Sequence, residues 1–349
     1  MPASTVNSQV AVVQRPSVLL DRSATIARAV ESIDEAASHG ARLITFPETY
    51  IPGYPEWIWR LRPGTDSQLT AEIHAELVRQ AVDLSTDQLD PILAAARRHG
   101  ATVVVGLQER DASFSRGTLY NTVVVVSAEG EIVNRHRKLM PTNPERMVWG
   151  VGDAAGLKVL DTPAGRLGGL ICWENYMPLA RYALYAEGVE IYVAPTWDMG
   201  PAWVSSMVHI AREGRCWVLS NGTSLQGRDI PEGFPHRAAL FPEPEEWINE
   251  GDSVIVAPNG TIVAGPLNKK HGILYAECDP AQAASAHRTL DVAGHYSRPD
   301  VFRLEVRRDA AVPVTFRDQH QPPGATASQP DGGSAPLPAP KKTREIRLT

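Results

Sequence analysis

Short β-rich runs alternate with helical patterns along most of this chain, and this alternation restricts its possible folds more than any other feature. The run QVAVVQ (9–14) predicts a strand, and residues 23–40 predict a helix that ends at a glycine. A second strand and a helix over 89–100, again ending at a glycine, repeat the pattern. The run 119–138 has an EG dipeptide near its centre, which is typical of a β-hairpin. Helices alternating with strands and hairpins predict an α/β layered fold with mixed sheets.

No break in composition divides residues 8–310, so we predict one domain over that range. Two segments, 53–80 and 227–247, interrupt the alternation and are interpreted as insertions, which tend to form lids or contact surfaces. Residues 1–7 are expected to be a flexible N-terminus, and 311–349 an extended, mostly flexible C-terminal tail. Within that tail, QPPGATASQPDGGSAPLPAP lacks the apolar residues that an ordered core requires.

Composition and charge exclude several classes of protein. A net charge of −6 leaves no general basic surface for a phosphate backbone, so no nucleic-acid partner is expected. The three cysteines, Cys172, Cys216 and Cys278, are far apart and form no CxxC pattern, so neither a zinc site nor a disulfide framework is indicated. The start of the chain lacks a signal-peptide pattern, and no apolar run is long enough for a membrane helix. A reducing, cytoplasmic location without a membrane partner is therefore expected.

The stretch GGLICWENYMPLARYALYAEG (168–188) begins with two glycines and contains Cys172. The run LGGLICWE (167–174) predicts a strand through Glu174, and MPLARYALYAEG (177–188) predicts a helix. A cysteine in such a position is often only a small buried hydrophobe. Here the glycines permit close backbone approach, and a turn from strand to helix would present the sulfur at the sheet edge. The backbone N–H groups of Cys172 and Trp173 at a helix start can stabilise a developing anion. Cys172 is therefore a candidate nucleophile, whose thiolate requires a base or a positive neighbour.

Three further residues are candidates for the groups that a cysteine nucleophile needs. Glu48 follows a strand and a proline, Lys138 lies at a strand end, and Glu145 lies on the loop after it. Taken singly, each is better explained as a polar residue that faces solvent. None of the ten histidines lies in a sequence context that connects it with Cys172, which disfavours a cysteine–histidine pair.

Taken together, these residues lie in motifs that resemble the nitrilase branch of the carbon–nitrogen hydrolase superfamily. The motifs are FPE at Glu48, RKLMPT at Lys138, ERMVWGVGD at Glu145 and CWENYMPLARYALY at Cys172, and the resemblance covers residues 8–305. It implies a four-layer αββα sandwich and a reaction that requires no metal or organic cofactor. It also implies a homo-oligomer in which dimers extend to a spiral or filament.

The resemblance further implies a role for each of the four residues. Glu48 is expected to act as the general base and acid, and Cys172 as the nucleophile. Lys138 is expected to supply positive charge to tetrahedral intermediates and to lower the pKa of the thiol. Glu145 is expected to assist by holding Lys138 and a substrate nitrogen in position.

The residues expected to line the substrate pocket are Tyr54, Trp173, Thr196 and Trp197. The implied reaction converts a nitrile and two water molecules into a carboxylic acid and ammonia, through a thioimidate and a thioester on Cys172. An amidase or a cyanide dihydratase would carry the same catalytic residues, whereas a purely filament-forming relative would not need them. The sequence thus indicates a small-molecule nitrile substrate and leaves the choice between aliphatic and arylaliphatic nitriles open.

Overall fold

The computed structural model describes residues 8–309 and 312–314. The predicted N-terminal segment 1–7 and nearly all of the predicted tail 311–349 lie outside the described residues. The strands found within the described part of the chain are β1 (Ser8–Gln14), β2 (Leu43–Thr45), β3 (Thr102–Arg110), β4 (Leu119–Val126), β5 (Ile132–Arg137), β6 (Leu160–Thr162), β7 (Gly165–Gly169), β8 (Ile191–Thr196), β9 (Trp217–Gly222), β10 (Ser224–Gln226), β11 (Trp247–Val256), β12 (Ile262–Asn268) and β13 (Gly272–Cys278).

Helices connect most of these strands. The α-helices are α1 (Arg22–Ser38), α2 (Ser67–Gln80), α3 (Asp90–His99), α4 (Pro178–Ala186), α5 (Gly200–Gly214), α6 (Arg237–Leu240) and α7 (Pro280–His287). Short 3₁₀-helices span Glu56–Trp59, Asn143–Met147, Cys172–Tyr176 and Gly227–Asp229. None of the helices within the described residues is long and apolar enough to cross a membrane.

Local sequence explains where the first helices begin and end. The carboxylate of Asp21 accepts a hydrogen bond from the backbone N–H of Ala24 at 2.9 Å, which satisfies a free donor at the start of α1. Helix α3 ends at Gly100, which has a φ of 57° and caps the helix in the left-handed conformation. The predicted helix over 89–100 is therefore confirmed together with its glycine cap.

The strands form two mixed sheets. The first has the order β13-β1-β2-β3-β4-β5, and the second has the order β10-β11-β9-β8-β7-β6, with β12 paired to β11. In each sheet the central strands are parallel, β1, β2 and β3 in one and β7, β8 and β9 in the other. Hairpins such as β4 and β5 add antiparallel strands at the edges. The prediction of mixed sheets is confirmed.

Four layers follow from the alternation of side chains along each strand. On β1, Ala11 and Val13 pack in one core cluster with α1 and α3, whereas Val10 and Val12 pack against the second sheet. The outer face of the second sheet is covered by α4 and α5, with Trp203 of α5 fully buried. The predicted αββα sandwich is confirmed, with one apolar core between the sheets and one under each pair of helices.

The two predicted insertions, 53–80 and 227–247, pack against each other. Arg60 donates to the carbonyl oxygen of Leu240 at 2.9 Å and to the carboxylate of Glu246 at 2.7 Å, which joins the two segments. A shared core of buried apolar side chains lies beneath this contact: Tyr54, Trp57, Ile58, Ile73, Leu77, Ile230, Phe234, Leu240 and Phe241. The two interruptions in the sequence pattern thus form one structural unit.

Candidate active site

The four candidate catalytic residues are brought together at the ends of strands from both sheets. Lys138 directly follows β5, while Glu48 and Cys172 lie shortly after β2 and β7. The segment that carries Glu48 lies against β3 at Gly106, where a Cβ atom would be only 2.3 Å from the carbonyl oxygen of Pro47. A side chain at Gly106 would therefore displace the backbone next to Glu48.

Glu48 is buried, and both of its oxygens accept hydrogen bonds. Oε1 accepts from Nζ of Lys138 at 2.7 Å and from Nδ2 of Asn121 at 2.6 Å. Oε2 accepts from the backbone N–H of Trp197 at 2.7 Å. The side chain is completely shielded from solvent, so these donors replace the water that a carboxylate would otherwise need.

Lys138 lies between two carboxylates. Its Nζ donates to Glu48 at 2.7 Å and to Oε2 of Glu145 at 2.8 Å, and its side chain is 1% exposed. Burial alone would lower the pKa of Lys138, but the neighbouring carboxylates raise it above its ordinary value. The ammonium group is therefore a fixed positive charge at neutral pH.

Glu145 connects the lysine to the wall of the site. Its Oε2 also accepts from the backbone N–H of Thr142 at 2.7 Å, and its Oε1 accepts from the hydroxyl of Tyr54 at 2.7 Å. Burial raises the pKa of Glu145, and although Lys138 opposes this shift, the nearby charge of Glu48 adds to it. Glu145 thus provides a second carboxylate for the ammonium group, and Tyr54 and Thr142 hold it in place.

Cys172 lies at a sharp corner after β7. The prediction of a strand through Glu174 is wrong, because β7 ends at Gly169 and a 3₁₀-helix begins at Cys172 itself. The residue has a φ of 50°, a left-handed conformation that costs energy for any residue with a Cβ. Nδ2 of Asn175 donates to the carbonyl oxygen of Cys172 at 2.8 Å and holds this corner in place.

The thiol of Cys172 is buried and receives a hydrogen bond from Oγ1 of Thr196 at 3.4 Å. Burial raises its pKa well above the usual value, and the charge of Glu48 raises it further. Lys138 lowers the pKa of the thiol, as expected from the sequence, but burial and the charge of Glu48 outweigh it, so the net pKa is raised. The resting thiol is protonated, and its attack on a substrate requires a base.

A cavity of 230 Å³ opens at the sulfur. Tyr54 and Trp197 stack in its wall with ring centroids 4.2 Å apart, and Nε1 of Trp173 donates to the carboxylate of Asp198 at 2.8 Å. Thr196 contacts the sulfur and does not belong to this wall. The residues that line the cavity are Tyr54, Trp59, Thr142, Glu145, Cys172, Trp173, Trp197, Asp198 and Met199.

Comparison with known proteins is consistent with this geometry. The sequence profile of the family described as Carbon-nitrogen hydrolase matches residues 9–288. The chain belongs to this family. Its fold is also that of a solved family member, Nit3 of Saccharomyces cerevisiae, with a TM-score of 0.65 at 18% identity over 83% of this chain and 96% of that one.

Within the carbon–nitrogen hydrolases, the chain is a member of the nitrilase branch. It is 40% identical to Nitrilase 3 of Arabidopsis thaliana over 90% of both chains. It is 39% identical to an aliphatic nitrilase of Sinorhizobium fredii, over 88% of this chain and 98% of that one. A bifunctional nitrilase/nitrile hydratase of Nicotiana tabacum is likewise 39% identical over 90% of both chains.

Asn121 is a residue of this carbon–nitrogen hydrolase site that the motifs do not single out. Its side chain holds Glu48, and its backbone carbonyl accepts from the N–H of Lys138 at 2.8 Å, so it contacts two of the candidate catalytic residues. The sequence does contain a signal for this residue, since Asn121 begins the run NTVVVV, which is otherwise mostly apolar. A polar side chain buried in such a strand needs a hydrogen-bond partner.

Proposed function

We propose that this protein hydrolyses an organic nitrile to the carboxylic acid and ammonia, with Cys172 as the nucleophile. The observation that carries the proposal is the arrangement of charge at the cavity. Cys172 and Glu145 line the cavity, and the ammonium group of Lys138 joins Glu145 to Glu48. One base and one fixed cation beside a protonated thiol are the groups that addition to a carbon–nitrogen triple bond requires.

The first half of the reaction forms a thioimidate. Glu48 takes the proton of the Cys172 thiol as the sulfur attacks the nitrile carbon, and the proton passes to the nitrile nitrogen. A first water molecule then adds to the carbon–nitrogen double bond. This addition gives a tetrahedral carbon that carries the sulfur, a hydroxyl and an amino group, next to the positive charge of Lys138.

The second half releases the two products. Glu48 takes the proton of the hydroxyl as the carbonyl forms and passes it to the amino group, so the carbon–nitrogen bond breaks, ammonia is released and a thioester remains on Cys172. A second water molecule, deprotonated by Glu48, attacks the thioester and releases the carboxylic acid and the thiol. In this scheme atoms and protons balance without any metal or organic cofactor.

An amide is the product if the tetrahedral species expels the sulfur instead of ammonia. The relative from Nicotiana tabacum, described as a bifunctional nitrilase/nitrile hydratase, supports some amide release by this chain as well. Nitrilase relatives at about 40% identity favour a nitrile over an amide or cyanide as the main substrate.

Ammonia release from a panel of substrates tests the proposal. The panel contains an aliphatic dinitrile, phenylacetonitrile, benzonitrile, cyanide and one simple amide. We expect ammonia and carboxylic acid from one or more nitriles with the wild type, none with Cys172→Ala, and normal release with Cys278→Ala as the matched buried cysteine. Release from the amide alone would make the protein an amidase, and formate from cyanide alone would make it a cyanide dihydratase.

We also propose that the protein is a cytoplasmic homo-oligomer, in which dimers extend to a spiral or filament, without nucleic acid or membrane partners. Cys172, Cys216 and Cys278 are all free thiols, which supports a reducing compartment. Large apolar side chains are exposed near the start of α4, among them Leu179 at 67%, which supports a contact between subunits there.

Size-exclusion chromatography with light scattering is expected to give a mass above that of one chain for the wild type. The mass of a Leu179→Asp variant is expected to be lower, because a charge would then lie in the proposed contact. A monomeric wild type would contradict this.

A further inference from the structure

Glu174 is a buried carboxylate two residues after the nucleophile, and the reaction scheme above gives it no role. Its Oε1 accepts from the backbone N–H of Leu139 at 2.6 Å, and its Oε2 accepts from the backbone N–H of Ile171 at 2.7 Å. Nε2 of His136 lies 3.1 and 3.0 Å from the two oxygens. The side chain of Glu174 has no exposed surface, and that of His136 is 5% exposed.

These contacts connect the two backbone segments that carry the reacting groups. Leu139 directly follows Lys138, and Ile171 directly precedes Cys172. Lys138 follows β5 of the first sheet, whereas Cys172 follows β7 of the second sheet. Hydrogen bonds within a sheet therefore do not set the spacing between these segments, and the carboxylate of Glu174 bridges them directly.

The bridge depends on a carboxylate in particular. Each oxygen of Glu174 accepts from a different backbone N–H, so an amide in its place would turn one N–H₂ group toward a backbone donor. Burial by itself would raise the pKa of Glu174, but His136 and the two N–H donors hold it below its ordinary value. The group is thus an anion satisfied on both oxygens, and such networks fix geometry.

We propose that Glu174, oriented by His136, is a positioning residue that fixes the Lys138 segment against Cys172 and thereby favours the acid over the amide as product. This inference rests on the proposed nitrilase reaction. The tetrahedral species loses ammonia when its nitrogen is protonated, and it loses the thiol when its carbon–sulfur bond breaks first. Ammonia leaves preferentially only while Lys138 holds Glu48 in line with the nitrogen, so a displaced Lys138 increases amide release.

The ratio of amide to acid formed from one nitrile tests the proposal, because a ratio does not depend on how much of the enzyme is folded. In Glu174→Gln, kcat is expected to fall about 100-fold at similar KM, with the amide-to-acid ratio rising about tenfold. His136→Gln, which retains an N–H donor, is expected to keep a ratio near that of the wild type, and His136→Leu is expected to raise it. If Glu174→Gln fails to fold, the amide-to-acid ratios of the two His136 variants still test the proposal.

Asp229 provides a matched control. Its carboxylate also accepts from a backbone N–H three residues earlier, that of Gln226 at 2.8 Å, and also pairs with a histidine, His271 at 3.3 Å. Asp229→Asn is expected to leave the ratio unchanged. Acid from a nitrile in the wild type together with an unchanged ratio in Glu174→Gln and His136→Leu would overturn this inference alone. No ammonia from any nitrile in the wild type would overturn the proposed function and this inference with it.

Discussion

The Lys138→Met variant is expected to lose about 3–5 kcal/mol of the free energy of unfolding at neutral pH, because breaking a buried ion pair leaves uncompensated charge. Lys138 contacts Glu48 at 2.7 Å and Glu145 at 2.8 Å, and none of the three side chains is more than 2% exposed. Methionine fills a similar volume without charge, so two buried carboxylates would remain with no cation between them. Denaturant unfolding followed by circular dichroism measures the loss.

The stability that Lys138→Met loses relative to the wild type is expected to become smaller as the pH is lowered. Burial already raises the pKa of Glu145, and Lys138 is the charge that most opposes this rise. Without Lys138, the folded variant binds a proton at a pH where the unfolded chain has released it. The free energy of unfolding of Lys138→Met therefore falls as the pH rises through this window, and it recovers at lower pH, where both states are protonated.

Two further variants separate charge from packing. Lys269 forms an exposed ion pair with Glu250, so Lys269→Met is expected to cost about 1 kcal/mol or less. The double variant Lys138→Met/Glu145→Gln removes one of the uncompensated carboxylates and is expected to recover part of the stability while remaining inactive. A Lys138→Met protein as stable at pH 7 as Lys269→Met would contradict the description of this site as a buried charged cluster.

The parts of the molecule that could be predicted from sequence are those that local patterns determine. Alternation of apolar residues along β1 places Val10 and Val12 on one face and Ala11 and Val13 on the other, and this alternation underlies the layered fold. A glycine at position 100 ends α3 through its own backbone preference. Such features need no information about distant parts of the chain.

The remaining features depend on contacts between residues far apart in sequence. The left-handed corner at Cys172 is held by Asn175, and Glu174 anchors it to the segment after Lys138, so a strand expected from local propensity is replaced by a 3₁₀-helix. The role of Asn121 appears only because Glu48, in the loop after β2, lies 2.6 Å away. The raised pKa of the thiol likewise reflects its burial, which outweighs the cation that the sequence suggested.

The Glu48→Gln variant is expected to lower kcat by about 10²- to 10⁴-fold, the range that a general acid–base residue contributes. The resting thiol of Cys172 is protonated because its pKa is raised, so the sulfur needs Glu48 to accept its proton. Glutamine has nearly the same shape as glutamate, and its one oxygen can still accept from Lys138 and Asn121, while its N–H₂ group then faces the backbone N–H of Trp197. It cannot take up the proton of the thiol, so chemistry is lost even where the contacts to Lys138 and Asn121 remain.

The reactivity of the thiol is expected to change in the opposite direction. After burial, the charge of Glu48 is the strongest influence that raises the pKa of Cys172, and Lys138 opposes it. Removal of that carboxylate leaves the positive charge of Lys138 without its counterpart at this position. The pKa of the thiol therefore falls in Glu48→Gln, and its reaction with iodoacetamide should extend to lower pH than in the wild type.

Peptide mass spectrometry measures the alkylation rates of the wild type and Glu48→Gln over a range of pH. These rates test whether thiol reactivity rises in the variant while turnover falls. Cys216 and Cys278 are both fully buried and serve as internal controls, because an unfolded variant would be labelled at all three cysteines. Faster labelling at Cys172 alone, together with lost turnover, requires that Glu48 acts as a base and as a charge beside the sulfur. If Glu48→Gln instead labels with the pH profile of the wild type, the carboxylate is not close enough to the thiol to take its proton, and another group must serve as the base.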